Sequence, residues 1–195
     1  TVRPLACTAT IMIDLMGDDV AKMPEAIKGA ALTCILSDTL EFRSPTTTAH
    51  DRAVAEKLAA ELDLDVSAYA ADMFAAKSDV SSFSDAELIR MDSKEYEVDG
   101  TKFRVSVLET TSPATVLQRT DSILATMPSV AAEDGVDQVL LFVVDILNEA
   151  ATLLIPNDIV KNVAQKSFDV TVEGKTVLLP GIMSRKKQII PNLKS

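Results

Sequence analysis

The strongest constraint on the fold is a run of apolar residues in the second half of the chain, "QVLLFVVDIL" at residues 138–147. Successive side chains of a strand point to opposite faces of a sheet. A strand in which nearly every position is apolar must therefore be covered on both faces. The run predicts a strand covered on both faces, in a sheet that carries packed helices.

Shorter patterns around this run indicate further strands. The segment "EYEVDGTKFRVSVLET" alternates apolar and polar residues around Asp99 and Gly100, which is a strong signal for a β-hairpin. The segments "ATLLI" and "KTVLL" are typical of short strands, with a helix, "NDIVKNVAQKSF", between them. Ser112-Pro113 opens a long helix that ends before Gly135. We predict a mixed sheet with helices packed on it.

The first 80 residues have the pattern of helices. The helix "TATIMIDLM" ends at Gly17, and the next, "MPEAIKGAALTCILSDTL", opens with Pro24 in its first turn, where a missing N–H does no harm. Thr48 is the predicted N-cap of the helix "AHDRAVAEKLAAEL", with Asp51 three residues later. Asp65 caps a further helix, "VSAYAADMFAAK".

A change of composition marks the boundary between the two halves. The segment "SDVSSFSD" is rich in serine and shows no helical stripe, and Ser84 with Glu87 then forms a capping box for a short helix. We predict a mostly helical domain over residues 1–77, a linker over 78–83 and a second domain over 84–195. The fold class of the whole chain is α/β.

The charge of the chain limits its partners. The 195 residues include 29 Asp and Glu against 19 Lys and Arg, which gives a formal net charge of -10. Nucleic acids and membrane surfaces are anionic, so this balance argues against general binding to either. A small anionic ligand remains compatible with it, because a local basic cluster outweighs the global field at short range.

The cysteines and the hydropathy indicate a cytoplasmic protein. Cys7 and Cys34 lie in apolar segments and are not closely spaced, which favours reduced, buried thiols. No segment reaches the ~20 apolar residues of a membrane span, and no signal peptide is visible. The first residue is Thr1 rather than Met, so we expect the sequence to begin inside a longer protein.

One acidic residue, Asp38, falls on the apolar stripe of a predicted helix. The stripe has helical spacing and consists of Ile27, Ala30, Ala31, Cys34 and Ile35. A carboxylate there is costly without a partner, and the macrodipole disfavours negative charge near a helix C-terminus. Either the helix has already ended, so that Asp38 caps the following turn or pairs with Arg43, or Asp38 ligates a metal or supplies a catalytic carboxylate.

Three adjacent cations, Arg185, Lys186 and Lys187, lie in the segment "PGIMSRKKQIIP" near the end of this acidic chain. In an extended segment Arg185 and Lys187 would share one side, whereas in a tight turn neighbouring charges could converge. Arg offers a fork to phosphate oxygens, and Lys offers a point charge. The alternative is a solvated charge run, but the flanking Ile and Met side chains would fix the backbone.

Two other basic residues are less distinctive. Lys94, in "MDSKEYEV", lies at the start of a hairpin strand, where a lysine often serves only to keep a sheet edge soluble. His50 is the only histidine, and we interpret it as an inert surface residue. No glycine-rich phosphate loop or G-x-S-x-G motif is present.

Several of these segments resemble one enzyme family. "ILSDTLEFRSPT", "MDSKEYEV" and "SRKKQIIP" resemble the second half of manganese-dependent, family II inorganic pyrophosphatases, which belong to the DHH phosphoesterases. The opening "PLACTATI" resembles the segment that follows the signature histidine pair of these enzymes. The resemblance covers essentially the whole chain. Its most specific part is the terminal motif, which separates pyrophosphatases from exopolyphosphatase-like relatives.

The resemblance implies two domains with inorganic pyrophosphate in the cleft between them. Residues 1–77 would be the end of the DHH metal-binding domain, and residues 84–195 would be the smaller substrate-binding domain. The intact enzyme would be a homodimer formed through the N-terminal domain. A water activated by bound Mn²⁺ or Mg²⁺ would hydrolyse pyrophosphate to two phosphates.

The resemblance also assigns roles to four residues. Asp38 matches the family's last metal-ligating aspartate, which makes it the implied catalytic and metal-binding residue. Lys94, Arg185 and Lys186 match the cations that hold the pyrophosphate oxygens and neutralise their developing charge. Lys187 belongs to the motif without an implied contact.

The sequence departs from the family at its metal ligands. The Asp-His-His signature is not present, and the single histidine does not lie in such a motif. We therefore predict a C-terminal fragment that lacks most metal ligands, binds pyrophosphate weakly and has little turnover alone. Two alternatives are a relative that acts on longer polyphosphates and a non-catalytic module that senses pyrophosphate or a nucleotide through the same cations.

Overall fold

The computed structural model describes residues 3–194, which divide into two compact units between Ala76 and Lys77. The first unit is helical, and the second is built on a five-stranded sheet. The α-helices of the described residues are α1 (Thr8–Met16), α2 (Glu25–Thr39), α3 (Ala49–Glu61), α4 (Val66–Lys77), α5 (Asp85–Arg90), α6 (Pro113–Leu117), α7 (Thr120–Asp134) and α8 (Asp158–Phe168). The strands are β1 (Ser93–Val98), β2 (Thr101–Thr110), β3 (Gln138–Asp145), β4 (Ala150–Leu154) and β5 (Thr176–Pro180).

Local capping sets the helix boundaries of the first unit, as the sequence predicts. α1 ends at Gly17, which adopts a φ of 53° that favours glycine. Thr48 and Asp51 form the capping box of α3, and the Ala68 N–H donates to Asp65 Oδ1 at 2.8 Å at the start of α4. The prediction was inexact for α2, because Pro24 is the residue before the first helical residue rather than part of the first turn.

The helices of the first unit bury aliphatic side chains against one another. The buried residues of α2, α3 and α4 are mainly Leu32, Ile35, Leu36, Val54, Ala55, Leu58, Ala59, Ala70 and Phe74. Polar contacts at the edge of this core also connect α2 to α3 and α2 to α4. The Lys28 ammonium lies 2.6 Å from Glu61 between α2 and α3, and the Thr33 hydroxyl lies 2.7 Å from the Tyr69 hydroxyl between α2 and α4.

The sheet of the second unit is mixed, which confirms the predicted α/β class. Its strand order is β1-β2-β3-β4-β5, with β2 and β3 parallel and the other neighbours antiparallel. β3 is the central strand, and its six interior residues are buried, as its apolar run predicts. The hairpin turn between β1 and β2 has φ 50° at Asp99 and φ 79° at Gly100. This left-handed pair is the turn that the sequence signalled.

Helices cover both faces of the sheet. One face packs against α5, α6 and α7 through a cluster that includes Leu88, Val116, Ile123, Met127, Leu141 and Val143. On the other face, Phe168 of α8 meets Phe142 of β3 edge to face, with ring centres 6.0 Å apart. None of the helices in residues 3–194 is long and apolar enough to cross a membrane.

Two predicted segments differ in detail from the structure. The long helix after Pro113 is wrong as one element, because it breaks between Leu117 and Thr120 into α6 and α7. At the break the Thr120 hydroxyl donates to the Leu117 carbonyl at 2.6 Å, so a side chain replaces a helical bond. In the serine-rich segment, Val80 is buried and Ser78 Oγ accepts from the Thr111 N–H at 3.0 Å, so these residues are packed parts of the second unit.

Candidate functional site

The topology of the sheet determines the path of residues 181–191, the basic tail that contains the three cations. The end of β5 pairs with the start of β4, because Pro180 lies opposite Ala150. The end of β3 lies at the same end of the sheet, since Asp145 also pairs with Ala150. The start of β1 lies toward the same end of the sheet, because Ser93 pairs with Ser106 in the second half of β2. The chain turns at Gly181, whose φ is 75°, and then passes from the β5 side of the sheet to the β1 side.

The tail is held by buried apolar side chains and by one glutamine. Met183 and Ile189 are buried, so the flanking apolar residues do fix the backbone, as predicted from the sequence. Gln188 Oε1 accepts from the N–H groups of Met183 and Ser184, both at 2.9 Å, and its Nε2 donates to the Gly181 carbonyl at 2.6 Å. These three bonds close the segment into a loop of fixed shape.

The three cations lie on a wide helical turn, Arg185–Ile189, and not on an extended segment. Ser184 caps this turn, since its Oγ accepts from the Lys187 N–H at 3.3 Å and its carbonyl accepts from the Ile189 N–H at 3.1 Å. The extended arrangement is therefore wrong, and the observed turn is wider than the tight turn of the alternative. The cause is the set of side-chain hydrogen bonds from Ser184 and Gln188. Such bonds to nearby backbone groups favour a turn over continuation of the preceding strand.

The Arg185 guanidinium contacts Asp92, the residue directly before β1, and Val105 of β2. Its Nη1 donates to the Asp92 carbonyl at 2.8 Å and, in a longer contact of 3.4 Å, to the Val105 carbonyl. Its Nη2 donates to the Asp92 carboxylate at 2.8 Å. The side chain is only 14% exposed, so the guanidinium is a fixed group at the surface of the sheet.

Lys94 lies on the same pair of strands. It is opposite Val105 in the register of β1 and β2, and Val105 offers the carbonyl that contacts Arg185. The structure thus brings Lys94 and Arg185 to one place from positions 91 residues apart in the chain (185 − 94). Lys94 and Lys186 are both exposed, so their ammonium groups are available to an anionic ligand. We call Lys94, Arg185 and Lys186, the three cations predicted from the sequence, the candidate substrate clamp.

The structure changes the basis of the Asp38 prediction. α2 runs to Thr39, so Asp38 lies within the helix, and the Arg43 guanidinium pairs with Glu41. The buried side of α2 consists of Leu32, Ile35, Leu36 and Thr39, whereas Ile27, Ala30, Cys34 and Asp38 are exposed. The prediction that this stripe is the buried face was therefore right for Ile35 but wrong for Ile27, Ala30 and Cys34, because both sides of this helix carry apolar residues. A metal-binding role for Asp38 rests on the resemblance alone.

Cys7 connects Asp38 to the start of α1. It is the N-cap of α1, where its Sγ accepts from the Ala9 N–H at 3.3 Å. Burial, together with a hydrogen bond to Asp38, raises the pKa of the Cys7 thiol to about 12, so the group is a neutral thiol. The two cysteines are free, but only Cys7 is buried, and the prediction of a buried Cys34 was wrong because it lies on the exposed stripe of α2.

The backbone directly after α2 has an unusual conformation. Leu40, Glu41 and Phe42 have φ values of 50°, 51° and 69°, a left-handed turn without glycine. Such residues persist only where their surroundings fix them, and they are concentrated at functional sites. Here the Phe42 N–H donates to Thr39 Oγ1 at 3.3 Å, and the Arg52 guanidinium lies 4.2 Å from the centre of the Phe42 ring. No pattern in the sequence predicted this turn.

The metal-ligating residues of residues 3–194 do not form a metal centre by themselves. No group of three or more His, Cys, Asp and Glu side chains within this range could hold an ion. His50 lies 2.8 Å from the Asp14 carboxylate, which also pairs with Arg3, so its neighbours belong to a surface ion cluster. A protein metal site needs several ligands around one ion, so a centre that includes Asp38 needs donors from elsewhere.

The fold and the basic tail define the class of the protein. A family model for the DHHA2 domain matches residues 71–195, which is more than half of the chain. The chain therefore belongs to the DHHA2 domain family. The match covers the whole sheet and the candidate substrate clamp.

Nearly the whole chain also aligns with manganese-dependent inorganic pyrophosphatases, which confirms the resemblance. The Bacillus subtilis enzyme of this name is 37% identical over 192 residues, or 98% of this chain and 62% of that protein. A candidate enzyme of this kind from Deinococcus radiodurans is 41% identical over 197 residues, or 98% of this chain and 63% of that protein. A solved Methanococcus jannaschii protein, described as a candidate family II inorganic pyrophosphatase, matches with a TM-score of 0.82 and 30% identity over 97% of this chain and 64% of that chain. The chain thus spans less than two thirds of these relatives.

Proposed function

We propose that the chain supplies the substrate-clamping half of a manganese-dependent inorganic pyrophosphatase, which hydrolyses pyrophosphate to two phosphates. The observation that carries this proposal is the fixed Arg185 guanidinium beside Lys94 in a chain of net charge -10. An acidic protein that orients a cation at its surface provides a local site for an anion. The relatives are named as inorganic pyrophosphatases, which supports pyrophosphate as that anion.

The three cations have different roles in the proposed clamp. Arg185 offers a planar fork that binds two oxygens of one phosphate group. Lys94 and Lys186 offer compact charges that adapt to the remaining oxygens. Together they neutralise the charge that develops on the transferred and leaving phosphates as the bridging bond breaks.

The proposed metal ions, Mn²⁺ or Mg²⁺ in its place, are held mostly by residues outside this chain. Asp38 contributes one carboxylate ligand, at the end of α2 and before the left-handed turn. In this assignment residues 1–77 are the end of the DHH metal-binding domain, residues 78–83 are the linker, and residues 84–195 bind the substrate. The intact protein is a cytoplasmic homodimer, which is compatible with the free thiols of Cys7 and Cys34.

A second candidate function is a non-catalytic module that senses pyrophosphate or a nucleotide. The observation in its favour is that no cluster of three metal-ligating side chains occurs in residues 3–194. The two functions differ in the sequence that precedes Thr1 in the parent protein. An Asp-His-His motif there supports the enzyme, whereas a parent protein without this motif supports the sensor.

The enzyme proposal is tested by phosphate release from pyrophosphate with Mn²⁺. We expect the parent protein to turn over and the 195-residue chain alone to release little phosphate. In the parent protein, Arg185→Ala and Lys186→Ala should each lower kcat/KM by more than about 10-fold, because each removes a charge-assisted contact to phosphate. Lys175→Ala is the control, since Lys175 is an exposed lysine that pairs with Asp121. Equal rates in all variants would refute the clamp.

A further inference from the structure

We propose that Asp92 is a positioning residue for Arg185, and that it turns one edge of the guanidinium toward the incoming phosphate. Asp92 immediately precedes β1 and lies two residues before Lys94. The identity of the anion rests on the proposed function. The orientation of Arg185 does not, because it depends only on contacts within this chain.

The hydrogen bonds of Arg185 leave one specific edge open. A guanidinium carries five N–H donors. Nη1 points at the carbonyls of Asp92 and Val105, and one donor of Nη2 points at the Asp92 carboxylate. The remaining donors are Nε–H and the second Nη2–H, which lie side by side, and no further partner for them occurs among residues 3–194. A pair of parallel donors matches two oxygens of a phosphate group.

Asp92 is itself fixed by the sheet. Its carbonyl accepts from the Val107 N–H at 2.9 Å as well as from Arg185. One residue therefore contacts the guanidinium at two points, through its backbone and through its carboxylate. Two contacts from a fixed residue define the plane and the rotation of the guanidinium, whereas one contact would leave it free to rotate.

The burial of the two side chains indicates that this ion pair serves orientation more than stability. The Arg185 side chain is 14% exposed, whereas the Asp92 side chain is 57% exposed. An ion pair with one partner in water contributes little to folding. A carboxylate near an anion site also repels the ligand, so its presence there requires a compensating effect. Orientation of the fork supplies that effect, because binding to an oriented group costs less entropy.

A different role for Asp92 would be that of a competitor. In that case the carboxylate would occupy Arg185 in the free protein and leave it when phosphate binds. The two roles predict opposite signs. Removal of a positioning residue weakens binding of the anion, and removal of a competitor strengthens it.

The first experiment measures the orientation of Arg185 without any ligand. The chain is small enough, at 20.9 kDa, for NMR of arginine side chains. In the wild-type chain we expect separate signals for the Arg185 Nη groups, because the contacts hinder rotation about the Cζ–Nε bond. In Asp92→Asn these signals should merge, and in Asp92→Glu they should stay separate. Identical Arg185 spectra in the wild type and Asp92→Asn would overturn the proposal.

The second experiment measures binding of inorganic pyrophosphate, with Mg²⁺ present, to the 195-residue chain by calorimetry. We expect Asp92→Asn to weaken binding by about 3- to 10-fold, since the fork loses its direction. Glu97→Gln is the matched control, because it removes an equal charge from an exposed position of β1, the strand that Asp92 precedes. Its affinity should stay within about 2-fold of the wild type. Unchanged or tighter binding by Asp92→Asn would overturn the proposal.

A double-mutant cycle separates this inference from the proposed function. Lysine has no fork to orient, so Asp92→Asn should have no further effect on binding in an Arg185→Lys background. An equal loss in both backgrounds would show a structural effect of Asp92 and overturn the positioning role. If Arg185→Lys itself binds like the wild type, the proposed clamp fails, and the NMR result alone then decides the orientation of Arg185.

Discussion

At the scale of single residues, Asp51 both caps its own helix and makes hydrogen bonds to residues far away in the chain. Its carboxylate has no exposed surface. It accepts from the Thr48 N–H at 3.1 Å, and the Asp51 N–H donates to Thr48 Oγ1 at 3.1 Å, so the predicted N-cap is part of a capping box. The Thr48 hydroxyl also donates to the carboxylate at 2.6 Å. It also accepts from the Thr10 hydroxyl at 2.7 Å and the Ala6 N–H at 3.0 Å. The capping motif is local in sequence, but the bonds to Thr10 and Ala6 connect α3 to the start of α1.

These bonds make the stability of the first unit depend on the charge of Asp51. Burial acts to raise the pKa of Asp51, but the hydrogen bonds from Thr48, Thr10 and Ala6 outweigh it and hold the pKa below its ordinary value. A carboxyl group with a lowered pKa stabilises the fold above its unfolded pKa of about 4. That stabilisation is lost as the pH falls through the folded pKa.

We therefore predict that Asp51→Asn lowers the free energy of unfolding by about 1–3 kcal/mol at pH 7, because it replaces a charged acceptor in a buried site. The difference from the wild type should shrink as the pH falls below about 4. Urea titrations at pH 7, 5 and 3.5 measure both effects. Asp72→Asn, at an exposed position of α4, is the control and should change stability by less than about 0.5 kcal/mol. A difference that is constant over this pH range would contradict the role of the charge.

At the scale of elements, two glycines illustrate opposite demands on the backbone. Gly100 lies in the turn between β1 and β2 with a φ of 79°, whereas Gly29 lies within α2. At both positions an added Cβ atom would have no other atom within 4 Å. Any effect of a methyl group there comes from the backbone conformation and not from a clash.

Gly100→Ala should therefore lower the free energy of unfolding by about 1 kcal/mol, because alanine does not favour the left-handed conformation. Gly29→Ala should raise it by about 0.5–1 kcal/mol, because alanine is the better helix former. Thermal and urea unfolding of the two variants provide the measurement, and each serves as the other's control. The same sign for both changes would contradict the assigned backbone conformations.

At the scale of the whole molecule, the division after Ala76 raises the question of where the second unit begins. Val80 is 4% exposed and belongs to the core cluster of the second unit, and Ser78 bonds to Thr111. The segment predicted as a linker, residues 78–83, thus supplies contacts to this core. The predicted boundaries can be tested by comparing two polypeptides that differ only in this segment.

We expect a polypeptide of residues 77–195 to fold alone and to unfold cooperatively. A polypeptide of residues 84–195 lacks Val80 and should be less stable by about 1–3 kcal/mol, the cost of removing a buried aliphatic side chain. Circular dichroism during thermal unfolding measures both. A Val80→Ala variant of the longer polypeptide is the control, and its stability should lie between the two. Equal stability of the two polypeptides would show that residues 77–83 act only as a linker.

Features that depend on neighbouring residues could be predicted without the fold. The sequence predicted the caps at Thr48, Asp65 and Ser84 and the hairpin at Asp99-Gly100, because capping bonds and turn conformations involve residues within a few positions. It also predicted β3 as a strand covered on both faces, since a run of apolar residues has no polar side to expose. The motifs "ILSDTLEFRSPT", "MDSKEYEV" and "SRKKQIIP" indicated the family. Each is a short continuous segment, so it can be read without knowledge of the fold.

Features that depend on residues far apart in the chain became visible in the three-dimensional structure. It showed that Asp38 and most of its stripe are not on the buried side of α2, because the side of an apolar helix that becomes buried depends on the helices that pack against it. It brought Arg185 to the strand that carries Lys94, because the tail crosses the sheet after β5. It also revealed that Asp92 holds Arg185, a contact between residues 93 positions apart. Patterns of neighbouring residues do not encode such a contact, because it is made by the path of the chain through the fold.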